Sequence, residues 1–240
     1  MNIYKIKLHP LFYFVLITSL LTGYFKNIII FTSIILVHEL GHIVTAYMFN
    51  WKIEKIIIMP FGGLTIFNTK INKSLIEEFF IAISGILFQI IFFIIFKKYL
   101  IKEYHYAILI FNLLPIYPLD GYKIINLLLY NVISFKTSNL ICLIFSLIVS
   151  LILIINYKNL AFYLIISCLI IKIIKELKNQ KNIFNKFLLE RYLYNFKYKK
   201  IKKIKGLKIN KMMYNKKHHF IIKNKPILEQ DILKKMFDNH

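Results

Sequence analysis

Long apolar runs separated by short polar segments dominate the pattern of hydrophobic and polar positions along this 240-residue chain. A helix needs about 20 mostly apolar residues to cross a bilayer, and neutral flanks extend the shorter runs toward that length. The pattern predicts an all-α polytopic membrane protein with about six transmembrane helices. A soluble protein with a large helical core is disfavoured, because soluble helices show a polar face. The runs are Leu11–Tyr24, Ile28–Phe49, Phe79–Phe96, Tyr106–Leu114, Leu140–Ile155 and Leu160–Ile174.

Two segments depart from the helical pattern. β-branched residues flank the Pro-Phe-Gly-Gly sequence at 60–63, which predicts a short membrane-associated β-hairpin at about residues 53–67. The fourth span resumes at Ile124–Phe135 after a break that contains Pro115, Pro118 and Asp120. Two prolines so close together break the hydrogen bonds of a regular helix. Non-helical backbone at membrane depth is tolerated only where it is buried in protein or lines a wet cavity. The break therefore points to a functional site.

The composition changes after residue 174, where lysines become frequent. We expect residues 1–174 to form a transmembrane domain and residues 175–240 to form a small basic α/β tail. Lys175–Tyr198 predicts an amphipathic helix at the membrane surface. Short alternating segments follow, and a last helix is predicted near Glu229–Phe237.

The net charge of +22 would ordinarily suggest a nucleic-acid partner. Here the basic residues flank apolar spans, which is the cytoplasmic-loop bias of membrane proteins. No direct binding of nucleic acid is therefore expected, and the bilayer itself is the expected surrounding. With six spans the two termini share one side, and the larger number of lysines on that side predicts that both termini face the cytoplasm.

Only two of the eleven acidic residues, Glu39 and Asp120, fall within the predicted spans. A charged side chain at the centre of a bilayer costs on the order of 3 kcal/mol, so such a residue usually has a partner and a purpose. Glu39 lies between two histidines, and Asp120 follows the proline break. The chain thus concentrates its membrane-buried ionisable groups in two places.

His38 and His42 are four residues apart, so on a helix they lie on one face and can bind one zinc ion. Glu39 can reach a water at that metal and act as a general base. A His-Glu-x-x-His sequence also occurs by chance in soluble helices, but three ionisable side chains inside an apolar span argue against chance. Hydrolytic zinc sites use three protein ligands and one open position, and Asp120 is the candidate third ligand. Its other interpretation is a turn-forming residue before Gly121.

These residues resemble the paired signature of the site-2 proteases, a family of intramembrane zinc metalloproteases. The match rests on the sequence His38 to His42 together with Asn112 to Gly121. The resemblance implies two zinc ligands and a catalytic glutamate in the first motif, and the third ligand, an aspartate, in the second. It also implies roles in substrate positioning or oxyanion stabilisation for the candidate residues Asn112, Pro118, Phe61 and Gly62.

Six spans, the histidine motif in the second span and a C-terminal tail resemble the stage IV sporulation protein FB group of this family. Members of that group cleave a membrane-associated pro-sigma factor, and their tail is a CBS domain that senses nucleotide. The resemblance implies a membrane-associated protein substrate and membrane-protein inhibitors or regulators, in a bacterial cell membrane or the membrane that surrounds the forespore. The tail here matches part of one CBS unit at most, which weakens the expectation of nucleotide binding.

Three alternatives stay open at this stage. The substrate of an intramembrane protease could instead be a signal peptide or an anti-sigma factor. A metal or proton transporter would also place His, Glu and Asp in the membrane, but it would require further polar residues in the last two spans. An inactive family member acting as an adaptor is disfavoured because every chemical residue of the motifs is present.

Overall fold

The structure is a computed structural model that describes residues 5–8, 10–59, 62–67, 71–99, 101–157, 159–194, 196, 198, 200–223 and 225–238. Helices account for most of these residues, and the described strands form two three-stranded sheets. Along the chain the elements are β1 (Lys5–Leu8), α1 (Pro10–Leu21), α2 (Phe25–Met48), β2 (Ile53–Met59), β3 (Gly62–Phe67), α3 (Leu75–Phe96), α4 (Lys102–Leu113), α5 (Asp120–Tyr130), α6 (Phe135–Asn156), α7 (Leu160–Leu193), β4 (Ile201–Lys205), a 3₁₀ turn (Ile209–Lys211), β5 (Lys217–Ile222), β6 (Lys225–Leu228) and α8 (Glu229–Phe237).

Three of the described helices, α2, α3 and α6, are long and apolar enough to cross a membrane, and α1 contributes a shorter apolar helix. A mostly helical membrane protein with small sheets is therefore confirmed. The count of six spans stays a prediction.

Helix α6 buries small polar residues beside apolar ones and exposes large aliphatic side chains. Ser138, Ser146 and Ser150 are fully buried, whereas large aliphatic side chains such as Leu140 and Ile148 are exposed. Small residues on the inner face let neighbouring helices approach closely, and aliphatic residues face a lipid environment without cost. This distribution is what a membrane helix requires.

The break in the fourth apolar run is confirmed, because α4 ends at Leu113 and α5 begins at Asp120. The last span and the amphipathic helix were predicted as separate elements, but α7 continues from Leu160 to Leu193 as one helix of 34 residues. The physical reason is that this segment contains neither Gly nor Pro to interrupt it. The closing helix is confirmed at Glu229–Phe237.

The chain divides into two compact units. The first comprises Met1–Thr69 and Ile76–Leu114, and the second comprises Lys70–Leu75 and Pro115–His240. The boundaries therefore fall at the end of the hairpin and at the proline break rather than at one point in the chain.

The sheet of the first unit contains the predicted hairpin and one strand that the sequence analysis did not anticipate. β2 and β3 pair antiparallel, with Ile58 opposite Gly63, and β1 pairs parallel to β2. A core of Phe12, Ile53 and Ile56 packs this sheet against α1. The sheet is thus anchored to helical elements on its apolar side.

Helices α2 and α3 of the first unit approach each other at small residues. A Cβ atom added at Gly41 would lie 2.5 Å from the backbone oxygen of Ser84. Near the same interface, Ala46, Trp51 and Ile81 form a buried cluster, and the Trp51 indole donates a hydrogen bond of 2.8 Å to Glu77. The absence of a side chain at Gly41 therefore sets the separation of the two helices.

A buried arginine organises the second unit. The Arg191 guanidinium donates to the carbonyl oxygens of Lys216, Met213 and Tyr214, to the Glu229 carboxylate and to the Asn72 side chain. These five bonds use all five N–H donors that an arginine side chain has. The buried cation is fully satisfied, and it ties α7 to the C-terminal sheet and to the segment 71–74.

The Glu229 carboxylate has a second partner in the same cluster. His218 lies with its Nδ1 2.9 Å from Glu229, and its Nε2 accepts the backbone N–H of Met213 at 2.9 Å. Burial lowers the pKa of His218 despite the nearby carboxylate. Burial would raise the pKa of Glu229, but hydrogen bonds from His218 and Arg191 outweigh it, so the pKa of Glu229 is lowered.

Substitution of Gly41 by Ala tests the close approach of α2 and α3. Alanine gains about 1 kcal/mol in helix propensity over glycine, but the overlap with the Ser84 backbone cannot be relieved by a rotamer change. We expect G41A to destabilise the protein by about 1–3 kcal/mol, measured by thermal unfolding in detergent. The control L40A changes an exposed neighbour in the same helix and should alter stability little. A G41A protein as stable as the wild type would contradict this account of the interface.

The second unit is expected to lose stability as the pH falls. His218 and Glu229 both have folded pKa values below their ordinary values of 6.5 and 4.5. The folded state therefore binds fewer protons than the unfolded state, and its stability declines below about pH 6.5 and further below about pH 4.5. Limited proteolysis of the tail across pH 4–8 would measure this decline. The variant E229Q should flatten the decline in stability below pH 4.5. The control D231N, at an exposed position of the same helix, should leave the decline unchanged. A pH profile of E229Q identical to that of the wild type would refute the role of Glu229.

Candidate metal centre

The two histidines of the sequence motif meet on one face of α2, as predicted. Both are buried, and their Nε2 atoms lie 3.1 Å apart. The rings lie edge to face, with centroids 4.9 Å apart. Two imidazole nitrogens are thus directed toward the same small volume.

The other ring nitrogen of each histidine faces an oxygen acceptor. Nδ1 of His38 lies 3.1 Å from Oε1 of Gln89, and Nδ1 of His42 lies 2.7 Å from the carbonyl oxygen of Ile81. Each neutral ring therefore carries its proton on Nδ1, which leaves a lone pair on each Nε2. One cation can accept both lone pairs. The donor set fits zinc, for which imidazole nitrogen is a common ligand.

The neighbouring helix leaves room for this pair. A Cβ atom added at Gly85 would lie 2.4 Å from Nε2 of His42 and 2.8 Å from Nε2 of His38. Only a glycine at this position of α3 keeps the volume in front of both nitrogens clear.

Glu39 occupies the position next to the first histidine and is also buried. Its Oε2 accepts a hydrogen bond of 2.8 Å from the Thr65 hydroxyl of β3. This contact brings the hairpin to the carboxylate, because Thr65 follows the Gly62–Gly63 pair on the same strand. The arrangement leaves the second carboxylate oxygen to act on a water or a substrate.

Asp120 is buried in the first turn of α5, where the helix dipole favours a carboxylate. Its Oδ1 lies 2.9 Å from Nζ of Lys123. The Tyr117–Pro118 peptide bond before it is cis, and the Tyr117 backbone N–H donates to Ser146 of α6 at 2.7 Å. The role of Asp120 as the third zinc ligand stays a prediction that the family resemblance implies.

The remaining candidate residues are less informative. Asn112 is buried in α4, and its side-chain amide donates to the carbonyl oxygen of Ile108 at 3.1 Å. Pro118 lies in the break between α4 and α5, and Gly62 begins β3. Phe61 lies outside the described residues. The roles of all four in substrate binding stay predictions.

Sequence analysis missed Gln89 and the environment of His105. Gln89 is a neutral polar residue in an otherwise apolar helix, and that exception is the signal that could have identified it. His105 of α4 is buried as well: its ring stacks on Phe93 with the centroids 4.0 Å apart, and its carbonyl oxygen accepts a hydrogen bond from Gln89. The histidine environment therefore extends across three helices of the first unit.

Comparisons with known proteins agree with this chemistry. The model of peptidase family M50 matches residues 26–105. The chain is 32% identical over 212 residues to stage IV sporulation protein FB of Bacillus subtilis, covering 79% of this chain and 72% of that protein. It is also 34% identical over 117 residues to zinc metalloprotease MJ0392 of Methanocaldococcus jannaschii, which covers 42% of this chain and 33% of that protein.

Solved structures include a similar fold. The site-2 protease from Methanocaldococcus jannaschii aligns with a TM-score of 0.54 and 25% identity, over 71% of this chain and 89% of that one. The predicted zinc chemistry and protease class are thus confirmed, and they coincide with a buried histidine pair whose geometry suits a metal. The chain belongs to peptidase family M50, the site-2 protease family of membrane zinc metalloproteases.

Proposed function

We propose that this chain holds one zinc ion through His38, His42 and Asp120 and cleaves a membrane-associated protein, with Glu39 as the general base. The observation that carries the proposal is the pair of Nε2 atoms 3.1 Å apart, with both Nδ1 atoms engaged by oxygen acceptors. Asp120 completes a set of three protein ligands, which leaves one position open for water or substrate.

Glu39 is suited to the proton transfers of peptide hydrolysis. When bound, zinc acts as a Lewis acid toward the scissile carbonyl and lowers the pKa of water. Glu39 removes the proton of the attacking water and later returns a proton to the leaving amine. The Thr65 hydroxyl at 2.8 Å fixes the orientation of the carboxylate while both transfers occur. Burial keeps bulk water from competing at this carboxylate.

The hairpin supplies a way to present an extended substrate. In the described part of the sheet the strand order is β1-β2-β3, so β3 forms one edge. A substrate segment can add to a sheet edge by main-chain hydrogen bonds, with its side chains giving specificity. The contact between Thr65 of β3 and Glu39 supports a path for such a segment beside the general base.

We further propose a pro-sigma factor as the substrate, in sporulation. The proposal is supported by the 32% identity to stage IV sporulation protein FB over 212 residues and by the group's cleavage of such factors. The proposal includes the predicted topology, which is six spans, a transmembrane domain at residues 1–174 and a cytoplasmic tail at residues 175–240. Both termini in the cytoplasm would place the tail on the side where a sigma factor resides.

Replacement of Glu39 by Gln tests the catalytic assignment. Glu39 is not a proposed ligand, so E39Q should retain zinc. Cleavage of a co-expressed substrate should fall by about 10²–10⁴-fold, the usual contribution of a general acid-base residue. Product formation by immunoblot and zinc content by mass spectrometry give the two readouts. The control E103Q alters an exposed acid in α4 and should cleave normally; an active, zinc-loaded E39Q would sink the mechanism.

The substrate proposal requires a separate comparison. The chain should be co-expressed with the pro-sigma factor from its own genome, with an anti-sigma factor and with a signal peptide fusion. We expect processing of the pro-sigma factor that disappears with a metal chelator and with E39Q. Processing of the anti-sigma factor or the signal peptide alone would replace the sporulation role while leaving the protease assignment intact.

A further inference from the structure

Gln89 connects the first histidine of the motif to a third helix. It lies in α3, is fully buried and contacts both His38 of α2 and His105 of α4. A buried primary amide in an apolar span has a desolvation cost that its hydrogen bonds must offset. Because Gln89 contacts the candidate zinc ligand His38, the direction of its hydrogen bonds bears on how that ligand is oriented.

The hydrogen bonds determine which way the amide points. The Gln89 Nε2 donates to the carbonyl oxygen of His105 at 2.9 Å, and a carbonyl can only accept. Oε1 is therefore the atom that faces Nδ1 of His38, at 3.1 Å. Rotation of the amide by 180° would place two oxygens against each other on one side.

This orientation has a consequence for His38. Because Oε1 can only accept, Nδ1 of His38 must carry the ring proton, and the lone pair is on Nε2. That Nε2 is the atom 3.1 Å from Nε2 of His42. The His105 carbonyl thus fixes the orientation of the Gln89 amide, and the amide fixes the tautomer of His38. In that tautomer the lone pair is on Nε2, the atom that faces His42.

We propose that Gln89 is a positioning residue for zinc binding. Its amide oxygen holds His38 in the tautomer and orientation that make Nε2 the ligand atom. The inference rests on the proposed function, since it takes His38 to be a ligand. Hydrogen-bond partners behind metal-bound histidines typically contribute 10–100-fold to metal affinity. A purely structural Gln89 would instead contribute to folding and leave zinc affinity unchanged.

Three substitutions at Gln89 separate these roles. Gln89→Met keeps the shape and length of the side chain but removes both hydrogen bonds. Gln89→Glu keeps an oxygen acceptor for Nδ1 of His38. Gln89→Asn keeps the amide but shortens the side chain. If the Gln89→Met protein does not accumulate, Gln89→Asn replaces it, and the same results are expected.

The matched control lies in the second unit. Asn139 is a buried amide of α6 that accepts hydrogen bonds from Asn126 at 2.8 Å and from Tyr130 at 2.5 Å. Asn139→Leu therefore measures the cost of losing a buried amide away from the histidine pair. His38→Ala tests separately whether zinc binding depends on that histidine.

The full-length protein is prepared in detergent in an E39Q background, so that no readout depends on activity. Zinc affinity is measured by competition with a chelator, and bound cobalt is followed by its absorption spectrum, which reports ligand geometry. Thermal unfolding of the zinc-free protein gives the structural effect of each change. These three readouts distinguish a positioning role from a structural one.

We expect Gln89→Met to weaken zinc binding 10–100-fold and to change the cobalt spectrum, with zinc-free stability no lower than that of Asn139→Leu. Gln89→Glu should bind zinc more tightly than Gln89→Met, because it keeps the acceptor for Nδ1 of His38, but less tightly than the wild type, because it loses the donor to the His105 carbonyl. Wild-type affinity in Gln89→Met, or an equal loss in Asn139→Leu, would overturn the positioning role. Unchanged zinc binding in His38→Ala would show instead that the proposed metal centre is wrong, and the two failures are therefore distinguishable.

Discussion

The first unit depends on one constraint, which is to hold two imidazole rings with their Nε2 atoms 3.1 Å apart. Here each ring is held by an acceptor behind it, Gln89 for His38 and the Ile81 carbonyl for His42. Both rings therefore present Nε2 toward the same small volume, where one cation can bind.

That constraint explains why α2 and α3 must lie so close together. The acceptors for both rings come from α3, and they reach the rings only because Gly41 and Gly85 lack side chains at the contact. Glu39, next to the first histidine, is also buried, and it contacts Thr65 of β3. Membrane helices achieve such approaches through small residues, because lipid provides no hydrophobic drive for helix association.

In the second unit, a buried cluster around Arg191 holds the basic tail in one conformation. Arg191 is a buried cation with all five N–H donors satisfied, and it lies 4.7 Å from the Phe187 ring and 4.5 Å from the Tyr198 ring. Its contact with Asn72 ties the tail to the segment that follows the hairpin strand β3 along the chain. Removal of the Glu229 carboxylate would leave the Arg191 cation buried without its counter-charge, which costs about 3–5 kcal/mol.

The sequence by itself determined the mostly helical apolar character, the hairpin, the proline break and the histidine pair, because each depends on local periodicity or on residues four apart. It also placed the closing helix at Glu229–Phe237, where an amphipathic pattern is complete within nine residues. The partners of Gln89 and of Arg191 lie 16 to 119 positions away, and only the tertiary structure could decide them. Local patterns specify helices and motifs, whereas the tautomer of His38 depends on an amide from one helix and a carbonyl from another.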